Sequence, residues 1–145
     1  MTFAILVAAC SSSDDTSSDP AEVTVASLIP ESPDRCEELD PLVLDYLRTG
    51  IVVEGITLPW GFAVKSQDFP DVWMVAAAVE NDTDIDFGTW AIRAGTWPTD
   101  YIGAVAVDEI AKRVSDWGEG IDVIITPAID GVRSAGACAI ARLDG

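Results

Sequence analysis

The chain has 145 residues, a length that suits one domain plus a tail. Apolar residues make up 49%, enough for a core, yet no apolar run approaches the roughly eighteen residues of a membrane span. The formal charge of −17 and the absence of histidine argue against nucleic-acid binding and remove the commonest general base and metal ligand.

Leu6-Val7-Ala8-Ala9-Cys10 closes the apolar run at the N-terminus, and Ser11-Ser12-Ser13-Asp14-Asp15 follows at once. The stretch Val7-Ala8-Ala9-Cys10 resembles a bacterial lipobox, the signal cut just before a cysteine whose sulfur then carries a diacylglyceryl group. The resemblance implies a signal peptide over residues 1–9 and a palmitate-type lipid anchor on Cys10. It also implies an extracytoplasmic location at the cell membrane. Secretory signals normally begin with positive charge, but no Lys or Arg precedes Arg35, so this reading places the true start upstream of Met1. A chance match is the alternative. Residues 10–34 read as a disordered tether rich in Ser, Asp, Thr and Pro. Within it Val23 to Ile29 is apolar enough to dock as a short edge strand, with a plain stalk as the adopted reading. Residues 1–34 hold Asp14, Asp15, Asp19, Glu22, Glu31 and Asp34 and no base; residues 35–145 then hold 25 − 6 = 19 acids against 8 bases, a net −11. Anionic lipid does not attract such a domain, so its link to the membrane would be the acyl chains alone.

Three cysteines are an odd number, which in an exported protein needs an explanation. Lipidation of Cys10 supplies one and leaves Cys36 and Cys138, one near each end of residues 35–145. An oxidising compartment would let them pair. Two buried free thiols are the alternative.

Residues 35–145 read as a single domain. Asp40-Pro41 starts a helix, with Leu42, Val43, Tyr46 and Leu47 on one face and Gly50 as the stop. Residues 51–58 fit strand or helix, with β-branching tilting the reading to strand. Gly61 to Ser66 is a strand, and Gln67 to Asp71 a turn built on Asp and Pro. Val72 to Glu80 is apolar on both faces, so it should be central and covered on both sides. Phe87 to Ala94 is the next strand, which makes these three an antiparallel meander. Gly95 to Gly103 is loop-like. Val107 to Trp117 is helical, with Val107, Ile110, Ala111, Val114 and Trp117 in one stripe. Ile121 to Thr126 reads as a short strand, and Asp130 as the cap of a final helix over Gly131 to Leu143.

Phe62-Ala63-Val64-Lys65-Ser66, Val72-Trp73-Met74-Val75-Ala76-Ala77, Gly88-Thr89-Trp90-Ala91 and Ser115-Asp116-Trp117 resemble elements of small bacterial lipoproteins and exported proteins of unassigned activity. The resemblance spans residues 55–120 and implies the class without adding catalytic residues.

Without histidine, Ser-His-Asp and Cys-His arrangements are impossible. Val132 stands where a nucleophile elbow at Ser134 needs its first Gly, and Gly118-Glu119-Gly120 lacks the third glycine of a dinucleotide loop. Asp82, Asp84 and Asp86 alternate, as carboxylates converging on Ca²⁺ would. Phe87 and Arg93, however, stand where a calcium loop needs Gly and a bidentate Glu. The alternative is a solvated hairpin tip whose charge protects a sheet edge. Trp60 and Trp97 adjoin prolines and are candidates for ligand stacking, or else plugs at the ends of the core.

Together these observations predict an α+β domain: an antiparallel sheet of three to five strands, with the meander 61–94 at its centre and helices on one face. The expected function is that of a lipid-anchored cell-envelope protein, not an enzyme, which binds an envelope protein or a cell-wall component. No cofactor is expected. One alternative is a carboxylate-dependent hydrolase of glycosidic or cell-wall bonds, which needs a closely spaced acid pair. The other is a calcium-stabilised surface module.

Overall fold

The computed structural model describes residues 33–119 and 121–145. Residues 1–32, with the lipobox, Cys10 and nearly all of the tether, lie outside the described residues. The strands are β1 (Glu37–Glu38), β2 (Gly61–Lys65), β3 (Val72–Glu80), β4 (Ile85–Thr96), β5 (Asp100–Ala106) and β6 (Gly118–Glu119). The helices are α1 (Pro41–Arg48), α2 (Glu109–Val114) and α3 (Val132–Asp144). The strands form one antiparallel sheet in the order β1-β2-β3-β4-β5-β6, a meander in an α+β domain. The two edge strands are two residues long, which leaves little unpaired backbone to template aggregation.

β3 is central because nothing along it before its last residue, Glu80, is polar enough to face water. Eight of its nine residues are buried. Trp73, Val75, Ala77 and Val79 point to one side, and Val72, Met74 and Ala76 to the other. Each side therefore needs its own cover, and the helices are divided between the two faces rather than packed on one as expected. Val43, Leu44 and Leu47 of α1 and Ala111 and Val114 of α2 close the first face. Val132, Ala135, Cys138 and Ala139 of α3 close the second.

Local chemistry sets the helix ends. Asp40 Oδ1 accepts the Leu42 N–H at 2.9 Å, and Pro41 occupies the first turn, as the sequence predicts. Gly50 follows the helix where Trp117 packs against the backbone: a Cβ there would lie 2.3 Å from Trp117 Nε1. Asp108 Oδ1 accepts the Ala111 N–H at 2.8 Å and starts α2. The cap of α3 is Gly131 at φ 94°, a left-handed conformation that suits glycine, and no side chain caps the helix. Asp130, read as that cap, has its carboxylate committed elsewhere.

Four further expectations change. The stretch 95–103 is not a loop: β4 continues through Thr96, and β5 begins at Asp100 after a turn holding a cis Trp97-Pro98 bond. Its glycines signal breaks, but they accompany shifts of register between Arg93 and Thr96, and Gly103 sits buried opposite Arg93. The helix over 107–117 shrinks to α2, because both ends are drawn into backbone pairing with the sheet. The Val107 N–H donates to Thr89 O at 2.8 Å, and the Ala106 N–H donates to Trp117 O at 3.0 Å. Ile121 to Thr126 forms no strand; Ile121 and Ile125 pack from a loop onto the α3 side of the sheet. Residues 51–58 are neither strand nor helix: Ile51 bridges to Ser115, Thr57 bridges to Glu80 of β3, and Leu58 is buried in the core on the α1 side of the sheet.

Cys36 and Cys138 form a disulfide, with their Cα atoms 5.8 Å apart. It ties the segment entering β1 to the middle of α3. Beside it, Arg35 Nη1 and Nη2 donate to the two carboxylate oxygens of Asp130 at 3.1 and 2.6 Å.

Candidate functional site

The acidic hairpin between β3 and β4 is built around Asn81. Its Oδ1 accepts from the Thr83 and Asp84 N–H groups, both at 2.9 Å, and from Thr83 Oγ1 at 3.0 Å. That turn is closed by an amide. Asp82 and Asp84 are exposed, and Asp86 lies 3.5 Å from Arg113. Among the described residues, no group of three or more Cys, Asp or Glu side chains is placed to hold a metal ion.

Trp97 belongs to a row of aromatic rings on the α1 side of the sheet. It stacks on Trp73 with centroids 4.8 Å apart and meets Tyr101 edge-on. Tyr101 stacks on Tyr46 at 4.2 Å, and Tyr46 leans against Trp117 at 4.9 Å. Three polar groups of the row are also occupied. Trp97 Nε1 donates to Glu37 at 3.1 Å, Trp117 Nε1 to Leu47 O at 3.0 Å, and the Tyr101 hydroxyl to Pro98 O. Burial pushes both phenols above their ordinary pKa, and Asp40 and Tyr46 push Tyr101 further. The row thus clamps α1 to the turn between β4 and β5.

Trp60 lies on the opposite side of the sheet. It meets Phe62 and Phe87 edge-on, and the Arg142 guanidinium lies 4.7 Å from its ring centroid. Arg142 also pairs with Glu38 at 3.0 Å, so the guanidinium bridges the end of α3 to β1. The two tryptophans singled out in the sequence are therefore not brought together.

The structure instead forms a cleft of about 290 Å³ where the turn between β2 and β3, strand β4 and the loop after β6 meet. Phe69, Val72, Ile121 and Val123 supply its apolar lining, and Asp71, Arg93 and Asp122 its charges. Arg93 Nε donates to Asp71 Oδ2 at 2.6 Å, with both side chains more than a third exposed (37% and 46%). No local pattern announces this site, because its residues come from three segments and Ile121 to Thr126 reads as a strand. Only the Asp-Pro turn around Pro70 marked one of its walls.

No family model, no curated protein and no solved structure matches this chain.

Proposed function

We propose that the chain is a lipid-anchored cell-envelope protein whose domain is a binding module rather than an enzyme. The observation that carries this reading is the Cys36–Cys138 disulfide. The chain has three cysteines, so that pairing leaves Cys10 with no cysteine of its own chain to bond, at the position where the lipobox resemblance needs a lipidated thiol. A disulfide also belongs with an oxidising compartment outside the cytoplasm. The lack of histidine and of a recognisable catalytic motif supports binding over turnover. In this reading the partner is an envelope protein or a cell-wall component, and the acidic tether holds the domain off the bilayer.

Intact mass and thiol labelling of protein extracted from membranes test it. The expected product starts at Cys10, carries the mass of a diacylglyceryl group and takes up no thiol label before reduction. An unmodified, labelled Cys10 on protein recovered in the soluble fraction would overturn it.

A further inference from the structure

We infer that the cleft between Phe69 and Val123 is a binding site for a single small zwitterion, a free α-amino acid with an apolar side chain. The inference rests on the reading of the domain as a binding module but not on the lipid anchor.

Size comes first. Small-molecule pockets run from about 300 to 1,000 Å³. At about 290 Å³ this cleft has room for one amino acid. The second argument is the unused valence of Arg93. Its Nε is held by Asp71, and among the described residues its two terminal amino groups have no partner. Those two groups are the paired donors that grip a carboxylate. Asp71 fixes the guanidinium from the side and so orients that open edge.

The third argument is charge balance. The cleft holds one cation, Arg93, and two anions, Asp71 and Asp122. An anionic ligand would add a third carboxylate to a single guanidinium, in a domain that already carries a net −11 (8 − 19 over residues 35–145). A simple cation would leave the open edge of Arg93 unmatched. A zwitterion satisfies both: its carboxylate meets Arg93 and its ammonium meets Asp122, which has no hydrogen bond or ion pair among the described residues. Its side chain then lies against Phe69, Val72, Ile121 and Val123.

The test is isothermal titration of the full chain carrying Cys10→Ser, which cannot be acylated. The probes are L-leucine, L-valine and L-phenylalanine, followed by the N-acetyl and amide derivatives of whichever binds. At least one free amino acid should bind saturably, with the derivatives, Arg93→Gln and Asp122→Asn each weakening it by about tenfold or more. Val123→Trp, on an exposed loop position, should abolish binding while leaving the melting temperature within a few degrees. It decides the matter if Arg93→Gln proves unstable. No saturation by any of the three up to about 10 mM would overturn the inference. So would binding that survives Val123→Trp, or an N-acetyl or amide form that binds as well as the parent. None of these outcomes bears on the mass of Cys10, so the two readings fail separately.

Discussion

Asp130 holds together segments that lie far apart in the chain. It receives both terminal nitrogens of Arg35 and the Gln67 N–H at 2.8 Å, while its own N–H donates to Asp68 at 2.8 Å. The Arg35 hydrogen bond, with the Gln67 N–H and the Arg35 charge behind it, lowers its pKa below the ordinary 3.8, against an opposing push from burial. A carboxyl with a depressed folded pKa stabilises fully above its unfolded pKa, and that contribution is lost as pH falls through the folded value. The Asp130 side chain is 26% exposed, so solvent screening trims the effect. Asp130→Asn should cost about 1–2 kcal/mol at neutral pH. The gap to the wild type should narrow once the pH drops below about 4, in urea titrations run at several pH values. A gap of constant size down to about pH 2 would show that the charge is not what Asp130 contributes. The sequence marks Asp130 as polar punctuation before a helix and no more. Its partners sit 95 and 63 positions away, beyond the reach of any local signal.

At the scale of elements, α2 shows what periodicity can and cannot say. The stripe of Ile110, Ala111 and Val114 was legible, and it does face the core side of the sheet. The length was not, because six residues are too few for a helix to hold itself. Neighbours therefore set its ends. Ser115 closes it: its hydroxyl donates to Ala111 O at 2.6 Å and accepts the Trp90 indole N–H at 3.0 Å. Trp90 is fully buried, at 0% exposure, so that N–H has no water to turn to. Ser115→Ala should cost about 1–3 kcal/mol, the penalty of stranding a buried donor. Chemical denaturation followed by tryptophan fluorescence would measure it, and a loss below about 0.5 kcal/mol would mean that the indole finds another acceptor. The same logic explains the missed strand β5. Gly95, Pro98 and Gly103 look like breakers, but here the glycines serve a shift of register inside a continuing sheet.

For the whole molecule, the disulfide closes a loop across 102 positions of sequence. It fastens the entry to β1 onto α3, on the sheet face opposite α1 and α2. In the chain-entropy model a loop of this length contributes about 4–5 kcal/mol. Paired Cys36→Ser and Cys138→Ser changes should lower unfolding stability by about that amount, and reduction of the wild type should do the same. Urea titration with and without reductant checks both arms, and coincident curves would show that the packed core suffices.

Some properties follow from composition and local order alone. They are the apolar, two-faced β3, the capped start of α1, the antiparallel meander and the exclusion of histidine chemistry. Each depends on residues within a few positions of one another or on a count. Tertiary structure decided the rest. Because both faces of β3 must be dry, the helices divide between them. Because backbone groups near the sheet must pair, β5 forms and α2 is short. The cleft around Arg93 exists only because three segments meet there, and no stretch of the chain contains it.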